Sequence, residues 1–263
     1  MILGLDIDAR KAQYPGLHLF DLKDGVLYGP IPSRRLGFSL GVNLLPFGEK
    51  VCTWDCLYCQ CGWTDRAVDQ AHVDPATFPS VALLSETFER EFAALAKAGK
   101  APESLTLSGN GEPTLHPEFE KAVDALIRSR DLHLPKAKTS ILSNGERIGE
   151  ASVRRALDRL DQRCMKLDPG GEKVDRPLTP YSEEAYVANL RHLKPVTIQS
   201  FFLGGEDATP WIAHLKAIQP LEVHLYSLDR VPPAKGLKPE GKEVLDSVAE
   251  RVRAAGFPAR VFA

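Results

Sequence analysis

The chain has 263 residues, with 33 Lys and Arg against 35 Asp and Glu and a formal net charge of −2. Its 43% hydrophobic and 26% charged residues are ordinary for a globular chain long enough to bury its own core without a disulfide framework. The balance excludes a strongly basic chain built around nonspecific nucleic-acid binding, and no apolar run reaches the roughly 18–20 residues of a membrane helix. The N-terminus carries Asp6 and Asp8 and lacks a basic secretory region, so a cytoplasmic location is expected.

In chain order, residues 1–30 read as a small β lead-in, with 17–22 and 26–28 pairing as a hairpin across Asp24-Gly25. A strand at 40–45 stops at Pro46 and leads into a cysteine-rich loop. Leu84, Phe88, Phe92 and Leu95 then fall on one helical face, with Gly99 as the stop. From there strands and helices alternate. A strand at 104–108 is followed by a helix starting at Pro117 and carrying Phe119, Val123, Leu126 and Ile127. A strand at 138–143 precedes a helix through Val153, Ala156, Leu157 and Leu160, and a strand at 163–167 precedes a helix after Ser182 through Tyr186, Leu190 and Leu193. A strand at 196–202 precedes a helix capped at Thr209-Pro210 and carrying Trp211, Leu215 and Ile218. A strand at 221–226 and a helix through Val244, Leu245, Val248 and Val252 complete the series, with a short strand at 260–262. Six strands separated by helices predict an α/β domain over 31–263 with a parallel sheet, either doubly wound or a partial barrel. Both architectures put the functional site at the carboxyl ends of the strands.

Those ends are polar, and the cysteine loop is the most informative of them. Four of the five cysteines, Cys52, Cys56, Cys59 and Cys61, lie within ten residues, which reads as metal ligation or redox chemistry and not as disulfide scaffolding. The spacing Cys-x3-Cys-x2-Cys lets three thiolates converge on one centre. A structural zinc with Cys61 as fourth ligand is one reading. A four-iron cluster with one iron left open is the other, favoured because no second Cys-x2-Cys knuckle exists.

Cys52, Cys56 and Cys59, with the aromatic Tyr58 before the last cysteine, resemble the radical S-adenosylmethionine superfamily. Residues 29–37 (Gly-Pro-Ile-Pro-Ser-Arg-Arg-Leu-Gly) resemble a narrower group, the iron–sulfur oxidoreductases related to wyosine-tRNA synthesis enzymes. So do 108–115 (Ser-Gly-Asn-Gly-Glu-Pro-Thr-Leu), 141–145, 166–168, 198–199 and 229–233, and the likeness runs from about residue 28 to 245. The resemblance implies a partial (β/α)6 TIM-like barrel with a small N-terminal β lead-in and a C-terminal helix. It implies a 4Fe-4S cluster on Cys52, Cys56 and Cys59, with S-adenosylmethionine chelating the open iron. Reductive cleavage would give a 5′-deoxyadenosyl radical that abstracts hydrogen from a substrate, fed by a flavodoxin- or ferredoxin-like one-electron donor. By the same resemblance Asn110, Gly111 and Glu112 fall where the methionyl amine is bound, although Asn110 stands where the superfamily often has Gly. Ser143 and Asn144 face the ribose or carboxylate, Lys166 the carboxylate, and Asp168 a ribose hydroxyl or Lys166. Gln199 is a further candidate, and Tyr58 and Tyr226 suit the adenine.

Each of these residues also has a plainer reading. Glu112 is a helix first-turn carboxylate, Asn144-Gly145 a turn, Lys166 with Asp168 a structural pair, and Gln199 a satisfied interior amide. His116 reads as a cap and Cys164 as a buried small apolar residue. Arg34, Arg35 and Arg230 belong either to solvated loops or to anion binding or packing. Cys61 is a redox-adjacent thiol, a chance neighbour or a hydrogen-atom donor. Wyosine-type relatives carry a second cluster on further N-terminal cysteines, and residues 1–51 here contain none. A single-cluster enzyme of unidentified substrate is therefore expected. A tRNA-modifying enzyme on the same scaffold and a non-catalytic metal-stabilised protein are the alternatives. Residues 231–263 hold three Lys and three Arg against four acidic residues, too weak a bias to indicate RNA.

Overall fold

The computed structural model describes residues 22–67 and 74–262. Eight strands form one curled sheet: β1 (Leu27–Ser33), β2 (Gly37–Val42), β5 (Ser104–Leu107), β6 (Lys138–Ser143), β7 (Gln162–Lys166), β8 (Thr197–Phe201), β9 (Glu222–Tyr226) and β10 (Ala259–Phe262), in that spatial order. From β2 onward every neighbouring pair is parallel, as six strands joined by crossovers require. β1 runs antiparallel to β2 and β10 adds a seventh parallel strand, so the barrel stays open between these two edges. Residues 17–21 of the expected hairpin lie outside the described residues. Leu27 and Tyr28, its second arm, pair with Val42 and Gly41.

The parallel strands alternate between two faces with the period of two that a pleated strand imposes. Leu105, Leu107, Ile141, Met165, Ile198, Val223 and Leu225 join the main core. The outer layer consists of α1 (Val81–Lys97), α2 (Phe119–His133), α3 (Ala151–Asp158), α5 (Glu183–Leu190), α6 (Ala208–Ile218) and α7 (Lys242–Ala254); Leu84, Phe88 and Phe92 of α1 and Val123 and Leu126 of α2 are fully buried in it. The inner face is polar. Ser39 meets Thr106 at 2.7 Å, Ser104 meets Ser140 at 2.8 Å, and Ser140 donates to Gln162 at 2.7 Å, a hydroxyl chain that satisfies groups no helix could reach. Cys164 lies in this lumen layer, 2% exposed, as a small buried side chain.

Caps differ from the sequence reading at two helices. α6 starts on Asp207, whose carboxylate accepts from Thr209 N at 2.9 Å; Thr209-Pro210 sits inside the first turn, where proline has no intrahelical hydrogen bond to lose. α2 starts two residues beyond Pro117, and Pro113 opens a 3-10 turn over Pro113–Leu115 instead. His116 ends that turn: its Nδ1 accepts from Glu118 N at 3.1 Å and its Nε2 meets Pro79 O at 2.8 Å, the capping task expected of it. Among the described residues no helix is long and apolar enough to cross a membrane.

Candidate functional site

The cysteine loop is closed at its base by a two-stranded parallel ladder, β3 (Val51–Cys52) and β4 (Arg66–Ala67). Lys50 O accepts from both Asp65 N and Arg66 N, and Lys50 N donates to Asp65 Oδ2 at 2.8 Å. The loop is then clamped by backbone. Leu57 N donates to Val174 O, Asp55 N to Arg176 O and Leu178 N to Thr53 O, from the segment around the short helix α4 (Glu172–Asp175). All five cysteines are free thiols, and Cys52, Cys56 and Cys59 line a cavity of about 900 Å³ at the strand ends, a size in the range of small-molecule sites. Among the described residues no three His, Cys, Asp or Glu side chains gather closely enough to enclose one metal ion.

The thiols sit in an unusual electrostatic setting. Burial pushes Cys52 up to about 12 and Cys56 well above the usual thiol range. Cys59 is held below it, chiefly by its contact with Cys61 and, against the cost of burial, by the Lys50 ammonium. Lys50 is 1% exposed and donates through Nζ to Gly62 O at 2.8 Å; burial alone would lower it, but the surrounding cysteines raise it. Cys52 Sγ already accepts from Trp54 N at 3.4 Å, with Asn144 Nδ2 at 4.0 Å, the kind of donors that stabilise a ligating sulfur.

Opposite the thiols stands Glu112. Its carboxylate accepts from Thr114 N (3.0 Å), Thr114 Oγ1 (2.7 Å), Ser143 Oγ (2.7 Å) and Asn144 N (2.7 Å). It therefore caps the 3-10 turn from just outside it, where the plainer reading put it inside a helix's first turn, and it also joins the end of β5 to the end of β6 while lining the cavity. Burial raises its pKa and the four donors pull it back. Asn144 donates to Thr53 Oγ1 at 2.9 Å, tying β6 to the cysteine loop.

A second cluster occupies the ends of β7, β8 and β9. Lys166 Nζ lies 3.1 Å from Asp168, donates to Tyr226 Oη at 2.8 Å and sits 4.4 Å from the centre of the Tyr58 ring. Tyr58 stacks on Phe201 at 3.6 Å and its hydroxyl donates to Asp168 and lies 3.1 Å from Asp175. Burial would lower Lys166, but Asp168 and Tyr226 hold it above its ordinary value. Arg35 reaches in from the β1–β2 turn, donating to Gln199 Oε1 at 2.9 Å with its guanidinium 4.7 Å above Tyr226. Gln199 Nε2 donates to Cys164 O at 3.1 Å.

The sequence-predicted residues fall into two groups. Tyr58, Gly111, Glu112, Ser143, Asn144, Lys166, Gln199 and Tyr226 line the cavity beside the three cysteines. Asn110 and Asp168 do not. The Asn110 amide is spent on Lys23 N, Lys23 O and Pro46 O, and Asp168 accepts from Phe201 N at 2.8 Å besides Tyr58 and Lys166. Both position neighbours from behind the wall. Sequence reasoning missed Lys50, Asp175 and Phe201. Lys50 was detectable as the cation two residues before Cys52; Asp175 carried no signal, because only the fold brings it to Tyr58.

The family model of the Radical SAM superfamily matches residues 50–215, which span the cysteine loop and the ends of β5 to β8 but neither the β1–β2 turn nor β9. A UPF0026 protein of Methanocaldococcus jannaschii is 30% identical over 237 residues, covering 85% of this chain and 70% of its own length. A UPF0026 protein of Helicobacter pylori is 35% identical over 156 residues, and the match spans 46% of that protein. Among solved structures, SuiB of Streptococcus suis aligns with a TM-score of 0.58 at 14% identity over 84% of this chain and 49% of SuiB. A structure of TYW1 with a lysine-pyruvate adduct bound aligns at 0.53, also at 14% identity, over 82% of this chain and 73% of TYW1. At such identities these two likenesses show a shared fold. With its cysteine loop at the carboxyl ends of a partial barrel and the family match across it, the chain belongs to the radical SAM superfamily.

Proposed function

We propose that the protein is a radical S-adenosylmethionine enzyme with a single 4Fe-4S cluster, acting on a C–H bond of a substrate not yet identified. The observation that carries this reading is the shared cavity. Three thiols of one loop face the same space as Glu112, Ser143, Asn144 and Lys166, contributed by three different strand ends. The donor set fits such a cluster: three free thiols, N–H groups aimed at Cys52 and a buried cation to offset thiolate charge.

When bound, a 4Fe-4S cluster on these cysteines would supply the electron for reductive cleavage of S-adenosylmethionine. The chain's residues do the rest. Cys52, Cys56 and Cys59 would hold the cluster through three thiolates, leaving one iron without a protein ligand. Glu112, with the backbone at Gly111, receives the methionyl ammonium; Lys166 faces the carboxylate; Ser143 and Asn144 bond the ribose or carboxylate. Tyr58, Tyr226 and Gln199 form the wall for the adenosyl part, and Asn110 and Asp168 set the geometry from outside the cavity. Burial of these walls excludes water from a reactive carbon centre.

The test is 5′-deoxyadenosine release from anaerobically reconstituted protein given S-adenosylmethionine and dithionite, against a Cys52/Cys56/Cys59 triple Ala control. Release by wild type alone is expected. No release despite a four-iron spectrum would overturn the reading.

A further inference from the structure

Lys50 is buried as deeply as the core leucines, and a buried ammonium is costly unless an anion faces it. Among the described residues no carboxylate does so. The Nζ donates to Gly62 O at 2.8 Å and to the sulfur of Cys59. It is the backbone N–H of Lys50, not the ammonium, that reaches Asp65 Oδ2. Burial works against the charge, and the groups that offset it are Cys59 first, then Cys52, Cys56 and Cys61. The counter-ion of this lysine is therefore the set of thiols itself. Lys166, the other buried ammonium of the cavity, differs: it has Asp168 at 3.1 Å.

The local chain explains how Lys50 comes to face the sulfurs. Val51 packs into a small core with Leu45, Phe78 and Leu115, and the period of two along extended backbone turns Lys50 and Cys52 to the opposite side. The lysine is then held at both ends. Its carbonyl is tied down by Asp65 N and Arg66 N, and its ammonium by Gly62 O, in a turn that Gly62 N closes on Cys59 O at 3.0 Å.

We infer that Lys50 tunes the reduction potential of the iron–sulfur centre, its fixed ammonium and its N–H···S bond to Cys59 raising the potential and so easing the uptake of one electron. This rests on the radical S-adenosylmethionine reading above. Net charge and hydrogen bonds to the sulfurs are two of the levers that set such potentials. Reduction adds one negative charge inside the loop, and a cation held there stabilises the reduced form more than the oxidised one. Burial strengthens the interaction and shields it from salt.

The test is an EPR-monitored redox titration of the anaerobically reconstituted full chain, without S-adenosylmethionine. In Lys50→Met the ratio of reduced to oxidised centre at a given solution potential is expected to fall at least tenfold, a midpoint lower by about 59 mV for one electron. Lys50→Arg keeps the charge and an N–H donor and is expected to stay within threefold of wild type. A midpoint in Lys50→Met that is unmoved or raised, even with iron content reduced, would mark a merely structural lysine and overturn the inference. A tenfold fall in Lys50→Arg would overturn it too. Pulsed EPR of the reduced centre in protein carrying lysine labelled with heavy nitrogen supplies a second measurement. A nitrogen coupling is expected in wild type and is expected to be lost in Lys50→Arg; identical spectra from the two would overturn the inference. This comparison needs no neutral variant, so it decides the matter even if Lys50→Met assembles no cluster. Deoxyadenosine release with an unmoved midpoint defeats this inference alone; a lowered midpoint in Lys50→Met without release by wild type defeats the proposed activity alone.

Discussion

Gly111→Ala tests how the cofactor loop is joined to the cysteine strand. Gly111 has φ +130°, a region L residues rarely adopt, and it bridges to Val51 in parallel register. Val51 N donates to Asn110 O at 2.9 Å and Glu112 N to Val51 O at 3.1 Å. A Cβ here would lie 2.6 Å from the Val51 carbonyl carbon and nearer still to its oxygen. Both are backbone atoms, so no rotamer change relieves the clash. The strained φ costs roughly 1–3 kcal/mol. Backing the loop away breaks two buried hydrogen bonds at about 1 kcal/mol each. The expected loss is about 3–5 kcal/mol, a large fraction of a typical folding stability. Gly99→Ala is the control: φ is +66° but nothing lies within 4 Å, so only conformational strain of about 1 kcal/mol applies. Urea unfolding of the two apo variants under reducing, anoxic conditions measures the difference. Iron uptake of Gly111→Ala should also fall, since the strand it displaces ends in Cys52. If the two variants lose stability within about 1 kcal/mol of each other, the close approach does not hold the site together.

Cys56→Ala should lose nearly all reconstituted iron, whereas Cys61→Ala should keep it; equal iron loss in both would favour a four-cysteine zinc-type centre. Glu112→Ala leaves Ser143 Oγ, Asn144 N and the Thr114 donors without their acceptor, at a cost of about 2–4 kcal/mol, while Glu112→Gln should keep most stability and weaken S-adenosylmethionine binding at least tenfold by calorimetry. Asp161 is lowered below the usual carboxylate range: burial opposes this, but Thr139 N, Thr139 Oγ1 and Arg130 donate to it and win. A depressed carboxylate stabilises the fold above its unfolded pKa of about 3.9 and loses that contribution as pH falls through the lower folded value. Asp161→Asn should therefore cost about 1 kcal/mol at neutral pH, the figure reduced because the side chain is 43% exposed, and should flatten the acid limb of a stability–pH profile.

The parallel strands were legible because their two faces differ in composition. Leu105 and Leu107 alternate with Ser104 and Thr106, and that alternation marks a strand between a helix layer and a polar lumen. The cysteine spacing was legible because it is local. The direction of each rim side chain was not. Asn110 and Asp168 stand at strand ends, as cofactor residues should, yet their polar atoms are consumed by Lys23, Pro46 and Phe201, partners that sequence position does not disclose. The clamp on the cysteine loop was equally hidden, because Val174 and Arg176 contribute carbonyl groups, which every residue has. The continuation of β1 beyond Tyr28 escaped notice because Pro30 and Pro32 argue against a strand interior; an edge strand tolerates them.

The cluster around Tyr58 shows why the loop needs that aromatic before its last cysteine. Asp168 and Asp175 both reach the Tyr58 hydroxyl, and two ionised carboxylates in one buried site would repel strongly. Burial and the nearby Asp168 raise Asp175 well above the usual carboxylate range. The Tyr58 hydroxyl donates to Asp168 and lies 3.1 Å from Asp175, and the Lys166 ammonium lies 3.1 Å from Asp168. Tyr58 thus links Asp175, the buried Lys166–Asp168 pair and the cysteine loop through one hydroxyl. Phe would keep the stacking on Phe201 but leave two acids facing each other without a bridge, which is why an aromatic ring alone does not meet the demand at this position.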